Sequence, residues 1–324
     1  MDLFKFMWSG LCLGSVLCLP PVQAQTYPNK PIKLIVGFAP GGAADYVART
    51  ISAPLGQALG STIIIENKPG SGSSVAAEFV AKSRPDGYTL LIASPSSISV
   101  NPTLSPKIGY KPSDFQPITK LTSSPLVIAV NPATGIMNVK DLIAKARQNP
   151  GALNYASSGN GSAPHLAGSL FSQIAEVKMT HIPFRGGSPA IQSVIAGDTQ
   201  LTFGTPPSVL PMVQAGRLRG LGTSTFERSP LAPDLPGMRE AGLPDYAIDF
   251  WYGLFFPVTT PSATVQAVFD AAFTAMSQPS VKAALAREGT DVAISASTAQ
   301  FVKFLAEDEK FWVKLVKTTE TSAD

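Results

Sequence analysis

Strand-like and helix-like segments alternate along this chain from residue 32 onward, and the alternation restricts the possible folds more than any other feature. Its first unit, residues 32–49, has an apolar run rich in β-branched residues, a Pro-Gly-Gly loop and an amphipathic helix pattern around Asp45. β-branched residues favour strands, and glycine permits the tight turn that follows one. Repeated strand–helix–strand units predict a parallel sheet with helices on both faces and ligands at the carboxyl ends of the strands.

The remaining elements are predicted from the same periodicities. Pro54 predicts a kink or a break in the helix at 45–59. Residues 94–125 are rich in serine and proline, which predicts a long ordered loop or a segment that crosses between domains. Residues 251–274 repeat the plan of residues 126–146, an apolar strand, a proline and an amphipathic helix, which indicates two similar halves. Further strands are predicted at 62–65, 88–93, 126–130, 153–156, 180–183, 200–203 and 219–223, and further helices at 74–82, 139–148, 164–175 and from 297.

The first 24 residues have the pattern of a secretory signal peptide, because Lys5 precedes an apolar core and a small-x-small site ends at Ala24. Cleavage after Ala24 predicts an exported, periplasmic protein. Both cysteines, Cys12 and Cys18, lie inside this leader, so the mature chain is expected to have no disulfide, no thiolate metal ligand and no cysteine nucleophile. The net charge of +3 is too small to indicate nucleic-acid or membrane binding.

Three loops of glycine and serine each follow a predicted strand and precede a predicted helix, at residues 38–45, 155–165 and 183–190. A helix start presents unpaired N–H groups and the positive end of the helix dipole, so it suits a carboxylate or a phosphate. Each loop alone is also compatible with a plain strand-to-helix turn. The three together predict helix N-termini that face each other around a small polar ligand.

Sequence patterns of known enzyme sites are absent: the chain has no G-x-S-x-G, no G-x-x-x-x-G-K-[ST] and no H-E-x-x-H. We therefore expect no catalysis, no metal site and no cofactor. Asp45 is compatible with a general base, but its position favours helix capping. His165 is expected to line a site, whereas His181 is expected to pack within a strand. Arg185 is compatible with a bidentate contact to a carboxylate, and equally with an anchor for its loop or with full exposure to solvent.

Five segments together resemble the Bug family, the periplasmic receptors of tripartite tricarboxylate transporters, over about residues 25–320. They are YPNKPIKLIVGFAPGGAADYVAR, ENKPGSGSSVAAEFVAKSRPDGYTLLIAS, YASSGNGSAPHLAG, IPFRGGSPAIQSVIAGD and RSPLAPDLPGMREAGLPDY with WYGLFFP.

The resemblance implies an α/β fold of the type II periplasmic binding class, in which two doubly wound domains enclose a ligand cleft. Domain 1 would comprise residues 25–125 with 247–324, and domain 2 residues 126–246. The implied function is that of a monomeric receptor that captures a small carboxylate and delivers it to membrane permease subunits. A sensor that feeds a membrane signalling partner and an enzyme on a similar fold stay open as alternatives.

The ligand-binding residues that the resemblance implies come from loops of both domains. In domain 1 they are Phe38, Pro40, Gly41, Gly42, Ala43, Ala44, Asp45 and Ser94. In domain 2 they are Ser157, Ser158, Gly159, Gly161, Ser162, His165, Phe184, Arg185, Gly186 and Gly187.

The chain departs from the family pattern at a few of these loops. Ala43 and Ala44 replace a third glycine and a hydroxyl residue, and Gly204 with Thr205 replaces a common Asp or Asn. Recognition of an amino-acid ammonium group is therefore not carried over. We expect a simple carboxylic acid, with an aromatic or bulky acid as one candidate.

Overall fold

The computed structural model describes residues 27–105 and 107–318, so the expected signal peptide and its cleavage site lie outside the described residues. Within them, eleven strands form two separate sheets. The strands are β1 Ile32–Val36, β2 Ile63–Asn67, β3 Thr89–Ala93, β4 Phe115–Pro125, β5 Val127–Val130, β6 Asn154–Ser157, β7 Thr180–Pro183, β8 Leu201–Gly204, β9 Arg219–Thr223, β10 Asp249–Pro257 and β11 Asp291–Val292.

Helices connect most of the strands, as the alternation of the sequence predicts. Short 3₁₀ turns at Ser71–Ser73, Pro112–Asp114 and Pro132–Thr134 and a π-helical turn at Ser96–Val100 complete the connections. The α-helices are α1 Ala43–Leu59, α2 Ser74–Ala81, α3 Asn101–Leu104, α4 Val139–Gln148, α5 Ala163–Ile174, α6 Gly187–Ala196, α7 Pro206–Gln214, α8 Met238–Ala241, α9 Ser262–Ser277, α10 Pro279–Arg287 and α11 Thr298–Thr318.

The two sheets share one strand plan. The six-stranded sheet has the order β11-β4-β10-β3-β1-β2 and defines lobe 1, whereas the five-stranded sheet has the order β7-β6-β8-β5-β9 and defines lobe 2. At the matching position in each sheet, β10 or β5 runs antiparallel to both of its neighbours. These are the strands that begin the two repeated segments, so the predicted similarity of the halves is confirmed at the level of topology.

The core forms where the sequence pattern is most apolar. In β1, Ile32, Leu34, Ile35 and Val36 have no exposed surface, which is expected for a strand covered on both faces. Helix α1 buries Val47, Ile51 and Leu55 at helical spacing and packs against α9. It continues through Pro54, so the predicted break is absent. Each large apolar side chain buried in this way contributes about 1.5–3 kcal/mol.

The prediction of a loop over residues 94–125 is wrong for most of its length. The segment contains the π-helical turn, α3 and the eleven-residue strand β4. Its prolines concealed the strand, because proline removes a ladder hydrogen bond. Pro117 pairs with Phe255 where the register with β10 shifts, and such irregularities are where strands tolerate proline.

Two chain crossings connect the lobes and lie side by side. One leads from β4 to β5 and the other enters β10, and Pro125 pairs with Asp249 where they meet. Ser224 of lobe 2 joins them: the N–H of Leu126 donates to Ser224 Oγ at 2.8 Å, and the N–H of Ile248 donates to its carbonyl at 3.0 Å. The crossings therefore form one hydrogen-bonded strip at the junction.

Candidate functional site

Four of the described helices begin around one small cavity between the lobes: α1 from lobe 1, and α5, α6 and α7 from lobe 2. Their N-cap residues, Gly42, Ser162, Gly186 and Thr205, make no side-chain hydrogen bond to their own helix. Residues at or beside all four helix starts line one cavity of about 20 Å³. Uncapped N–H groups and the positive ends of helix dipoles favour an anion at such a place. The lining residues are Phe38, Gly42, Ala43, Ala44, Ser158, Ala163, Pro164, Gly187, Ala190, Ile191, Thr202, Gly204, Thr205, Ser208, Phe250 and Tyr252.

The lobes touch directly beside this cavity. The backbone N–H of Ala39 donates to the carbonyl oxygen of Arg185 at 3.3 Å. A Cβ atom added to Gly72 of lobe 1 would lie 2.2 Å from the carbonyl oxygen of Asn160 in lobe 2. A Cβ atom added to Gly186 would lie 2.9 Å from the nitrogen of Ala39. Glycine is needed at these contacts because any side chain would push the lobes apart.

Asp45 is engaged by its own loop and helix. Its carboxylate accepts hydrogen bonds from the N–H of Gly41 at 3.0 Å, from Arg49 Nε at 2.8 Å and from Asn67 Nδ2 at 3.0 Å. Burial opposes ionisation, but these hydrogen bonds outweigh it and hold the pKa of Asp45 below its ordinary value. The carboxylate is therefore ionised and pinned in the first turn of α1.

The two histidines form a stacked pair within lobe 2. Their ring centroids lie 3.9 Å apart, and His165 Nδ1 accepts a hydrogen bond from the N–H of Gly161 at 3.0 Å. His181 Nε2 lies 2.6 Å from Ser157 Oγ. Burial lowers the pKa of His165 to about 4 and that of His181 to about 3, the latter helped by repulsion from His165. Both rings are therefore neutral near pH 7 and brace the loop before α5, and the prediction that His181 packs is confirmed.

Ser94 and Ser162 carry buried hydroxyls beside the cavity. Each residue is 1% exposed, and neither hydroxyl has a hydrogen-bond partner within the described residues. Ser162 directly precedes Ala163 of the cavity wall, and the pairing of Gly253 with Ala93 places Ser94 next to Tyr252. Buried polar groups are almost always hydrogen-bonded, so these hydroxyls are suited to donate to a ligand.

Six of the predicted site residues line the cavity, and the other twelve lie in the loops and helix starts around it. Arg185 is exposed, and it lines a separate open depression of about 560 Å³ together with Phe184 and Gly159. Pro40 and Gly41 are also exposed. Those that line the cavity are Phe38, Gly42, Ala43, Ala44, Ser158 and Gly187. Those that lie in the surrounding loops and helix starts are Pro40, Gly41, Asp45, Ser94, Ser157, Gly159, Gly161, Ser162, His165, Phe184, Arg185 and Gly186.

The sequence did not mark most of the remaining wall as part of the site. Thr205 before Pro206 does carry a signal, because proline at the first helical position marks a helix start after a strand. Phe250 and Tyr252 alternate along β10 on one face, but their pattern resembles any half-buried strand. The lining residues that the predicted set lacks are Ala163, Pro164, Ala190, Ile191, Thr202, Gly204, Thr205, Ser208, Phe250 and Tyr252.

A larger depression of about 960 Å³ lies on lobe 1, away from the helix starts. Among its charged side chains, Lys30 pairs with Asp86 at 3.6 Å and Lys82 with Glu78, while Lys33 pairs with Glu66 outside the lining. Among residues 27–105 and 107–318, no group of three His, Cys, Asp or Glu side chains is placed to hold a metal ion. In the same part of the chain, no helix combines the length and the hydropathy required to cross a bilayer.

Known proteins share this architecture at sequence identities of about 30%. The family model for the tripartite tricarboxylate transporter family receptor matches residues 47–320. BugT of Bordetella pertussis is 31% identical over 96% of this chain and 95% of its own. An R. palustris protein solved with adipate is 30% identical, with a TM-score of 0.88 over 91% of this chain and 99% of that one. MatC from Rhodopseudomonas palustris, solved with malate, is 30% identical, with a TM-score of 0.85 over 90% of this chain and 100% of its own.

These matches confirm both the suspected family and the expected fold. A periplasmic binding protein, BugD, superimposes with a TM-score of 0.87 at 26% identity, covering 91% of this chain and 99% of its own. The chain therefore belongs to the Bug family of tripartite tricarboxylate transporter receptors, which are periplasmic solute-binding proteins.

Proposed function

We propose that this protein captures a small carboxylate in the periplasm and delivers it to the membrane permease subunits of a tripartite tricarboxylate-type transporter. The observation that carries the proposal is the convergence of four uncapped helix starts on one cavity between the lobes. Their N–H groups hold an anion without any charged side chain, because none of the lining residues is charged. The structural neighbours solved with adipate and with malate support a carboxylate as the anion.

The polar groups near the cavity support binding rather than catalysis. A general base needs a free, suitably placed acceptor. Asp45 is bound by three donors of its own surroundings, and His165 accepts from Gly161 while it stacks on His181. We propose that the chain acts as a monomeric receptor and carries out no reaction.

The ligand contacts follow from the placement of the loops. We assign direct contact to the lining residues of the cavity and to the hydroxyls of Ser94 and Ser162. The other predicted residues, including Gly186 and His165, support the loops, and Arg185 makes no ligand contact in this assignment. We place the domain boundaries after residues 125 and 246, which the division of the strands between the two sheets supports.

The structure has the lobes in contact, so ligand entry requires them to separate. The free volume of about 20 Å³ suffices for roughly one water molecule. A ligand that bridges both walls would shift the population toward the closed state. Release would then need the permease to favour the open state.

A thermal-shift screen of residues 25–324 against mono-, di- and tricarboxylates tests the proposal. A ligand present at one hundred times its dissociation constant adds about 2.7 kcal/mol to the free energy of unfolding. We expect a clear rise in melting temperature with at least one acid and none with amines or sugars of similar size. Stabilisation by a non-acid alone would contradict the proposal. Delivery is tested by adding the loaded protein to vesicles that contain the cognate permease and measuring uptake of the labelled acid.

A further inference from the structure

A depression of about 560 Å³ beside the cavity is lined by both lobes. Lobe 1 contributes α2, α3 and the segment after α3, and lobe 2 contributes the loops after β6 and β7. The charged residues of its lining are Glu78 and Lys107 from lobe 1 and Arg185 from lobe 2. A depression that both lobes line changes its shape when the lobes separate, so it is a candidate path for a ligand.

The cavity cannot open widely at the chain crossings. Phe250 and Tyr252 of the lobe 1 wall lie just after Asp249 on β10. Asp249 pairs with Pro125 of the other crossing, and both crossings hydrogen-bond to Ser224 of lobe 2. Separation here would break paired strands, whereas rotation about the crossings leaves them intact. The lobes are therefore expected to part away from the crossings.

The depression borders contacts between loops, where the lobes can part. Asn160 and Arg185 line the depression, and each touches lobe 1. Asn160 lies against Gly72, and the carbonyl oxygen of Arg185 accepts the hydrogen bond from Ala39. Water replaces a contact of this kind at little net cost. Residues 158–159 pass from the cavity lining to the depression lining, so the depression continues into the cavity once these contacts part.

The depression keeps a positive charge on each lobe. Lys107 and Arg185 are both exposed, and neither belongs to an ion pair among residues 27–105 and 107–318. Glu78, the acidic residue of the lining, pairs with Lys82. None of the residues that line the cavity is charged. An approaching anion therefore meets cations at the depression before it reaches the uncharged cavity.

We propose that this depression is the entrance to the ligand cleft, where Lys107 and Arg185 attract carboxylates and speed their association without contacting the bound acid. A cation on each side of an entrance raises the local concentration of an anion and its rate of association. The acid then moves to the helix starts, whose N–H groups hold it after the lobes close. This inference rests on the proposed function of the cavity.

Charge reversal at Arg185 with a matched control tests the entrance. Arg217 is another exposed arginine of lobe 2 and lines neither the cavity nor the depression, so Arg217→Glu makes the same change in net charge elsewhere. Stopped-flow fluorescence measures the association and dissociation rates of residues 25–324 with the best acid of the thermal-shift screen. Ionic strengths of about 0.01 M and about 1 M are compared, because the Debye length falls between them from about 30 Å to about 3 Å.

We expect Arg185→Glu to slow association about fourfold at the lower ionic strength, for a charge about 10 Å from a passing acid in water. The double variant Arg185→Glu with Lys107→Glu should slow association about tenfold or more. Arg217→Glu should slow it by less than about twofold. These differences should vanish at about 1 M salt, and the dissociation rates should stay within about twofold of the wild type.

Equal slowing by the two arginine variants, or association rates that no charge reversal changes, overturns the entrance and leaves the receptor function intact. Faster dissociation in Arg185→Glu also overturns it, because Arg185 would then contact the bound acid. Unchanged association together with slower uptake into permease vesicles would assign the two cations to permease docking instead. If the wild type binds no acid, the proposed function is overturned as well. Melting temperatures verify folding, and Arg185→Gln with Arg217→Gln, at about half the charge change, replaces a pair that does not fold.

Discussion

Lobe 1 and lobe 2 have the same central strand plan but present different surfaces to the cavity between them. In both, the strand that enters after the crossing runs antiparallel to both of its neighbours. Lobe 1 contributes one helix start with a resident carboxylate and a mainly aromatic wall, whereas lobe 2 contributes three open helix starts and several hydroxyls. The strand order places the four helix starts around the cavity. An acidic first-turn residue, present in α1 and absent from α5, α6 and α7, decides whether a helix start already has a negative charge beside it.

The difference has a physical origin in a few side chains. Asp45 lies in the first turn of α1 and pairs with Arg49 at 2.8 Å, so this helix start already has an ion pair of its own beside it. The histidine pair braces the loop before α5 without adding charge, since burial keeps both rings neutral. Lobe 2 therefore keeps its N–H groups available for a ligand, and four variants or conditions test this contrast.

The largest effect is expected from a negative charge on the lobe 2 wall. Ser158→Asp places a carboxylate in the lining, where it repels a bound acid and competes for the helix starts. At about 4 Å and an effective dielectric constant of 20, the repulsion is roughly 4 kcal/mol, so affinity should fall at least about a hundredfold. Titration calorimetry with the best acid of the screen measures the change. The neutral control Ser158→Asn should bind within about tenfold of the wild type; unchanged binding by Ser158→Asp would place the carboxylate elsewhere.

Closure of the two walls is tested at Gly72. Gly72→Ala places Cβ 2.2 Å from the carbonyl oxygen of Asn160, so the lobes cannot meet as they do here. We expect acid affinity to fall at least about tenfold, because the ligand then loses contact with one wall. Calorimetry measures the affinity, and small-angle scattering measures the compactness.

The matched control for this variant is Gly60→Ala. Gly60 and Gly72 have similar left-handed φ angles, 66° and 57°, but nothing lies within 4 Å of a Cβ atom at Gly60. Both variants carry the same backbone cost of about 1 kcal/mol, so a shared loss of affinity would point to general destabilisation rather than to blocked closure.

Acid should destabilise lobe 2 before lobe 1. The pKa values of His165 and His181 fall from 6.5 to about 4 and about 3 on burial, so the unfolded state binds protons that the folded state does not. Their contribution to stability is fully present above pH 6.5 and is lost as the pH falls toward 4 for His165 and toward 3 for His181, by up to about 1.4 kcal/mol per pH unit for each ring.

Tryptophan fluorescence can separate the two lobes in this titration. Within the described residues both tryptophans, Trp251 and Trp312, belong to lobe 1 elements, β10 and α11. Far-ultraviolet circular dichroism should therefore fall at a higher pH than the fluorescence changes. His181→Gln keeps a partner for Ser157 and should shift the transition to lower pH. If circular dichroism and fluorescence change at the same pH, and His181→Gln does not shift that pH, the assignment of the acid sensitivity to the histidines of lobe 2 is contradicted.

The smallest effect is expected at Arg49. Arg49→Ala removes the exposed partner of Asp45, whose buried carboxylate keeps its hydrogen bonds from Gly41 and Asn67. Without Arg49, the negative charge of Asp45 is less balanced, and its repulsion should weaken acid binding about twofold. Lys33→Ala is the matched control, because Lys33 is similarly exposed and pairs with Glu66 at 3.1 Å away from the cavity. Equal losses of acid affinity in the two variants would show that binding depends on the net charge of the protein and not on the position of Arg49.

Much of the fold was accessible from the sequence. The alternation of apolar β-branched runs with amphipathic segments predicted nearly every strand of both sheets, because those periods arise from local geometry. The exceptions were the two-residue strand β11, which is too short to show a period, and β4, where Pro117 and Pro125 concealed a strand whose partner β10 lies more than a hundred residues later. Pairing between strands so far apart in the chain leaves no pattern in the residues that neighbour either strand.

The candidate site was accessible only in part. Glycine and serine loops marked the starts of α1, α5 and α6, and Phe38, Gly42 and Ser158 do line the cavity. Arg185 was an ambiguous residue, and its exposed position follows from the direction of its loop rather than from its chemistry. Phe250 and Tyr252 reach the cavity because the chain returns to lobe 1 at β10. No local sequence pattern predicts this return.

The sequence by itself determined most of the strand and helix order, the family and the starts of α1, α5 and α6, since each depends on neighbouring residues and their periodicity. The tertiary structure alone decided which helix starts face one another, which of them already hold an anion, and that the lobe 1 wall is aromatic. Those features depend on contacts between distant segments, such as Gly72 with Asn160 and Ala39 with Arg185, and on the charge that Asp45 places at α1. The polarity of the cavity arises from this assembly and not from any single motif.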